Sequence, residues 1–196
     1  MEDRHNSDLI EFYKILLSDD RKNWQNPQLI LRQFGDLRGK RLLEVACGPG
    51  YFLRHAAALV GPQGFVLGID SQPLAIKMCR ERLEAAGFSN YHLAVKDAME
   101  TPWQLGTFDC VLIANALHDF GDANSVLRNV GESLEPNGKV MIVDWKKIHT
   151  KFGPPIEKRL SKKQAEAIML QAGFSKTSSY EGLPYHYLLV WKKNIR

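Results

Sequence analysis

Three carboxylates and one glycine loop fall where a nucleoside-type ligand would be held. Glu44 lies inside the apolar run RLLEVAC (41–47), Asp70 ends FVLGID (65–70), and Asp97 follows YHLAVK (91–96). Burying an unpaired charge is costly, so Glu44 calls for a cationic partner. Directly after the first run, Ala46-Cys47-Gly48-Pro49-Gly50 supplies glycines that let the backbone pass close to a ligand and turn into a helix. A dinucleotide fingerprint would need a third glycine at position 53, where Leu53 stands. Asp70 occupies the place from which a carboxylate accepts hydrogen bonds from both hydroxyls of a ribose. Simpler roles exist for each acid: Glu44 paired with Arg41 or another internal cation, Asp70 capping the helix opened by Pro73, Asp97 acting as an N-cap. Their recurrence at successive strand ends favours a shared ligand.

A second group could move a proton. His118 sits just past the run FDCVLIAN (108–115), and Asp119, Asp144 and His149 share the same mouth. A general base must lie within hydrogen-bond reach of the proton it takes; His118 is the first candidate and Asp144 a second. The alternatives are a His118 that only shapes its loop and an Asp144 that ends its strand on Lys146 or Lys147. Trp24, Trp103, Trp145, Tyr180, Tyr185 and His186 could build an aromatic pocket, or could be core. The loop 146–158, with Gly153-Pro154-Pro155, is long for a strand-to-helix connection and reads as a lid.

These residues need a scaffold that gathers loops at one edge. Apolar runs of strand length, at 41–47, 65–70, 91–96, 108–115 and 139–145, alternate with helical patterns, as in βαβ units of a parallel sheet covered on both faces. Ligands then gather beyond the carboxyl ends of the strands. Pro73 suits a first helical turn, Ile76, Cys79, Leu83 and Ala86 share a face, and Gly87 supplies a stop. Near the end, Ser161 and Gln164 form a capping box, a helix runs to Gly173, and runs at 174–181 and 185–192 flank the turn Gly182-Leu183-Pro184. With no helix between them, they should pair as an antiparallel hairpin. The first 38 residues read as two helices, one around Leu9 to Leu17 and one opened by Pro27, separated by the polar stretch 18–23. They form a cap (1–38) of the same α/β domain as 39–196.

Bulk properties agree with one domain. The chain has 196 residues, 44% hydrophobic and 24% charged. It shows no secretory leader and no apolar stretch of membrane-span length, so the expectation is a cytoplasmic enzyme with no membrane span. Three cysteines, Cys47, Cys79 and Cys110, lack a C-x-x-C pair and read as small buried hydrophobes, with no metal site. Residues 1–138 carry 14 Lys+Arg against 18 Asp+Glu and residues 139–196 carry 12 against 4, so the tail is basic. That permits an anionic partner but more commonly marks a solvated face.

Taken in order, these motifs resemble those of class I S-adenosyl-L-methionine (SAM) dependent methyltransferases, from about residue 40 to the end. LLEVACGPGYF is similar to their first motif, with Ala46 where its first glycine usually stands. GID (68–70) is similar to the ribose motif, Asp97-Ala98 to the adenine motif, FDCVLIANALHDF to the fourth strand and its loop, and SLEPNGKVMIVDW to the turn before the fifth. Within the superfamily the pattern is most similar to small methyltransferases of the ubiquinone and menaquinone type, with Arg21-x-x-Trp24-Gln25-Asn26-Pro27 matching a segment in such proteins. The resemblance implies a three-layer, Rossmann-like sheet of seven strands completed by the terminal hairpin. It also implies SAM as methyl donor and S-adenosyl-L-homocysteine (SAH) as product. Glu44, Ala46, Cys47, Gly48 and Gly50 would line the donor, Asp70, Ser71 and Gln72 surround its ribose and adenine, Asp97, Ala98 and Met99 flank the base, and Asn115, Ala116 and Leu117 border the methionine part. Methyl transfer from a sulfonium is an in-line displacement, so alignment in a water-poor pocket is the main requirement.

The expected acceptor is a small molecule, with its identity and the oligomeric state left open. A nucleic-acid methyltransferase would explain the basic tail, but Asn115-Ala116-Leu117-His118 stands where an Asn-Pro-Pro-aromatic loop would be needed. A non-catalytic SAM-binding module is the alternative from another class. A nicotinamide dehydrogenase is disfavoured by Leu53.

Overall fold

A computed structural model describes residues 2–194, with side chains from Ser7 onward. Its centre is one seven-stranded sheet in the order β3-β2-β1-β4-β5-β7-β6. The strands are β1 (Arg41–Val45), β2 (Phe65–Asp70), β3 (Tyr91–Val95), β4 (Phe108–Ala114), β5 (Leu134–Trp145), β6 (Phe174–Tyr180) and β7 (His186–Lys193). The first five pair in parallel; β7 inserts antiparallel beside β5 and pairs with β6. The expected α/β architecture and antiparallel carboxyl-terminal hairpin are both present.

Alternation along the strands sorts the core into two layers. Leu42, Cys110, Leu112, Met141, Val143, Leu188 and Val190 face one side, and Leu43, Val45, Val111, Ile113, Val140, Ile142 and Leu189 face the other. Helices α3 (Leu53–Val60) and α4 (Pro73–Ala85) cover the first face, while α5 (Ala123–Glu132) and α6 (Lys162–Gln171) cover the second. Pro73 opens α4, and α6 starts on the complete Ser161–Gln164 capping box.

Two neighbouring strands stop where the backbone turns left-handed. β1 ends before Ala46, at φ 55°, and β4 ends before Asn115, at φ 56°. Both runs therefore finish earlier than their apolar stretches suggest, at 45 rather than 47 and at 114 rather than 115. β5 instead starts at Leu134, because Leu134 pairs with Phe108 ahead of a bulge between Phe108 and Cys110. The Leu-Glu-Pro-Asn-Gly segment is thus strand and not a turn.

At the amino end, α1 (Glu2–Leu16) is longer than its apolar stripe, and the polar stretch after it is a 3-10 helix (Asp19–Asn23) capped by Ser18. α2 (Pro27–Leu31) is capped by Asn26, whose side-chain oxygen accepts from the Gln28 and Leu29 amides at 3.0 and 3.2 Å. Ile30, Leu31, Phe34 and Leu37 are buried within the first core layer. Among the described residues no helix is long and apolar enough to cross a membrane.

Candidate active site

The loops after β1, β2 and β4 meet at one edge under the amino-terminal helices. Asp70 joins two of them: one carboxylate oxygen accepts the Gly48 amide at 2.8 Å, the other the Gln72 amide at 2.9 Å. Burial raises its pKa, with these two backbone bonds opposing. Gly50, at φ 81°, leaves no room for a side chain, since a Cβ there would stand 2.5 Å from the Cys79 sulfur. The loop thereby lies flat on α4. Cys47, Cys79 and Cys110 are all free and buried. Tyr13 of α1 closes over this corner; its hydroxyl is pushed up to about 12, first by burial and then by the neighbouring Asp70 and Cys47.

Glu44 does not find the cation expected for it. It is 3% exposed, and its Oε2 has no hydrogen-bond partner among the described residues. Burial drives its pKa well above the carboxylate range. Arg41 points elsewhere, donating from Nε to the Thr107 carbonyl at 2.9 Å. A carboxylate buried with one oxygen unpartnered suits a cationic ligand group.

The amino-terminal segment is tied across this edge. Gln25, fully buried, exchanges side-chain hydrogen bonds with Asn115 at 3.0 and 3.1 Å. Its backbone carbonyl accepts the Tyr51 hydroxyl at 2.9 Å, and its side-chain oxygen also accepts Arg21 Nε at 2.8 Å. The left-handed turn at Asn115 aims the amide at Gln25, so the end of β4, the glycine loop and the cap share one network. The adenine-motif residues lie in the loop after β3. Asp97 accepts the Met99 amide at 2.8 Å, and Trp103 Nε1 donates to the Ala98 carbonyl at 3.1 Å. Ser71, Gln72 and Met99 are exposed, while Ala116 and Leu117 are buried.

His118 and Asp144 are brought together. The His118 amide donates to Asp144 Oδ2 at 3.1 Å, and its Nδ1 meets Asp144 Oδ1 at 2.7 Å. Oδ1 also accepts the Trp145 amide at 2.8 Å. Asp144 therefore binds His118 and not Lys146, whose ammonium donates to the Leu183 carbonyl at 2.7 Å. Burial pulls the His118 pKa down, but the Asp144 hydrogen bond and the Asp144 and Asp119 charges outweigh it, so the net shift is upward. A donor Nδ1 leaves Nε2 as the free lone pair of the neutral ring, 3.4 Å from Asp119. His149 is exposed on the following loop.

Beside this dyad stands an aromatic box. His186 stacks on Trp24 with 6° between planes and a centroid separation of 5.5 Å, and lies 4.2 Å from Trp145. Phe152 and Tyr185 complete it, each within 6.3 Å of Trp24. Among the described residues neither ring nitrogen of the buried His186 has a partner, and its pKa falls to about 3, through burial and then the charges of Arg21, Arg159 and Lys146. Two expected members are elsewhere: Trp103 belongs to the second core layer, and Tyr180 packs on the rim of the first. The loop 146–158 is built around Arg159. Its guanidinium donates to the carbonyls of Pro154, Lys146, Ile148 and Phe152 and to the Thr150 hydroxyl, while standing 5.0 Å over Trp145.

Residues 36–193 match a family model described as a methyltransferase domain. The chain belongs to that family. It is 29% identical over 114 residues to a demethylmenaquinone methyltransferase of Lactococcus lactis, covering 58% of this chain and 45% of that protein. It is 30% identical over 123 residues to one of Listeria welshimeri, covering 59% and 52% respectively. The chain thus spans about half the length of the curated relatives it matches. A SAM dependent methyltransferase from Aquifex aeolicus superposes with a TM-score of 0.86 at 25% identity, covering 92% of this chain and 96% of that one. SAM is accordingly the cofactor, and the unpaired Glu44, the Asp70 bridge and the flattened glycine loop are a donor set that fits it.

Several groups of this methyltransferase domain carried no clear sequence signal. Gln25 was visible only inside a short matching segment, and Tyr13 lay unmarked within the first helix. Arg159 hid among lysines, because its partners are mostly backbone carbonyls that no pattern of side chains reveals.

Proposed function

We propose that this methyltransferase domain methylates a small, planar, hydroxylated aromatic acceptor, using His118 as general base and Asp144 to orient it. SAM supplies an electrophilic methyl group on a sulfonium. On the donor side, Glu44, Ala46, Cys47, Gly48 and Gly50 line SAM, Asp70, Ser71 and Gln72 surround its ribose and adenine, Asp97, Ala98 and Met99 flank the base, and Asn115, Ala116 and Leu117 border the methionine part. On the acceptor side, Trp24, Trp145, Tyr185, His186 and Phe152 offer flat apolar faces, and aromatic stacking contributes about 0.5–1.5 kcal/mol per pair beyond burial. Residues 1–38 cap the mouth as part of the same domain as 39–196.

The observation that carries this reading is the His118–Asp144 pair at the end of β5, directly followed in sequence by Trp145 of the aromatic box. With Nδ1 engaged, Nε2 takes the acceptor's proton as the new bond to the methyl carbon forms and the sulfur keeps the electron pair of the bond it loses. The His118 side chain is only 3% exposed, so Asp119 must swing aside for an acceptor to reach it. The names of the Lactococcus and Listeria relatives support a quinol-like acceptor. The test is incubation with methyl-labelled SAM and a panel of hydroquinols, catechols and RNA. Label on a hydroxylated aromatic, lost in His118→Gln, supports the proposal; label on RNA, or on nothing, contradicts it.

A further inference from the structure

His186 is a buried polar group that the chain leaves unsatisfied. It is 0% exposed, and among the described residues neither ring nitrogen has a hydrogen-bond partner. A neutral imidazole carries one N–H and one lone pair, and burying either without a partner is costly. Nearly all buried polar groups are paired, so an exception asks for a reason. The Tyr187 hydroxyl and the Trp191 indole are unpartnered too, but both lie within the second core layer. His186 instead opens β7 at the edge of the sheet, paired across the strands with Trp145.

Its surroundings decide which part of the ring a ligand can use. Trp24 stacks on it with 6° between planes, and Trp145 stands 4.2 Å away at 46°. Stacking engages the flat of the ring, whereas the N–H and the lone pair lie in its plane, at the edge. Burial and the charges of Arg21, Arg159 and Lys146 keep the ring neutral, so it offers hydrogen bonds and no charge. Asp144 and Trp145 are successive residues of β5, and their side chains leave opposite faces of the sheet. His118, bound to Asp144, therefore meets the end of β5 from one side and His186, paired with Trp145, from the other. The charge of Arg159 reaches both imidazoles.

Resting on the reading of His118 as the base, we propose that His186 is a specificity residue that hydrogen-bonds a second oxygen on the acceptor ring, the one that is not methylated. The acceptor lies across the end of β5, its reacting hydroxyl at His118 Nε2 and its second oxygen at the edge of His186. Phe152, the most exposed ring of the box at 41%, moves outward to admit it. A site built to bond a substrate hydroxyl rejects the analogue lacking it, because its own polar group then stays unpaired. The acceptor class is thereby a ring with two oxygens, a hydroquinol or a catechol.

The test is steady-state kinetics with SAM and two matched pairs of acceptors, hydroquinone against 4-methylphenol and catechol against 2-methylphenol. In each pair a methyl group replaces the second hydroxyl. Wild type should prefer the diol by about 10-fold or more in kcat/KM at one or both spacings, chiefly through KM. His186→Phe keeps an aromatic ring and removes both nitrogens, and in it that preference should fall to near unity, whatever the absolute rates. Equal kcat/KM within both pairs in wild type, or an undiminished preference in His186→Phe, would overturn the proposal. Should His186→Phe fail to fold, His186→Leu is read by the same criterion, and the wild-type comparison needs no variant. If wild type methylates none of the four, the acceptor reading itself fails, an outcome distinct from methylation without preference.

Discussion

The donor and acceptor sides of the mouth treat buried polarity in opposite ways. Among the described residues around β1 and the cap, Glu44 keeps an unpartnered oxygen and Arg21 donates to neutral acceptors. Around β5, Asp144 accepts three hydrogen bonds and Arg159 donates five. The first arrangement leaves charges for a ligand to complete; the second spends them on fixing the protein's own geometry. His186 is the exception on the acceptor side, buried in the aromatic box with both nitrogens free.

That contrast can be broken most severely at His118. General-base catalysis contributes about 10²–10⁴-fold, so His118→Gln should lower kcat by that order while leaving SAH affinity within about twofold, measured by steady-state kinetics and calorimetry. The raised His118 pKa gives the sign of the pH dependence. The neutral ring is the base, so kcat/KM should climb with pH through a value above 6.5, and Asp144→Asn should move that midpoint down. The stability that the protonated His118–Asp144 pair contributes runs the other way. It is fully present below pH 6.5 and fades as pH rises through the folded-state pKa, which a series of thermal melts would follow.

Asp70→Ala should separate the sides in the opposite sense. It removes the acceptor bridging the Gly48 and Gln72 amides together with the charge proposed to meet the ribose, so SAH affinity should fall by about 100-fold, read by calorimetry. Arg159→Met should act on the acceptor side alone. Losing the hub of the 146–158 loop should cost about 2 kcal/mol, or about 4–8 °C in Tm, and should speed proteolysis within 146–158 while SAH affinity is unchanged. The smallest effect sharpens the donor side. Ala46 holds φ 55° where glycine would be unstrained, so Ala46→Gly should raise Tm by about 2–4 °C, corresponding to about 1 kcal/mol.

Legibility in the sequence followed the same divide. Glu44 within its apolar run, Asp70 at the end of its run and Asp97 just after its run could be read because parallel strands are nearly all apolar and a charge stands out in them. The glycine loop could be read because close approach excludes other residues, as the Cys79 sulfur does at Gly50. The partnership of Glu44 was misjudged for an instructive reason: pairing rules describe a protein satisfied by itself, and this carboxylate is not. The pairing of His118 with Asp144 spans 26 residues and depends on where β4 and β5 end, which spacing alone leaves open. Among the aromatics, Trp24, Trp145, Tyr185 and His186 converge because the end of β5 lies beside the start of β7, where Trp145 pairs with His186. Trp103 is drawn to the other face by its bond to the Ala98 carbonyl. Nothing in local pattern distinguishes the two fates.

The central claim is that Glu44 is left unpaired for a cationic group of the donor. Calorimetric titration of SAH into wild type and into Glu44→Gln gives the contribution of that carboxylate directly. A carboxylate that meets an ammonium group should make wild type bind SAH about 10-fold or more tightly than Glu44→Gln. Equal affinities in the two proteins would contradict the account.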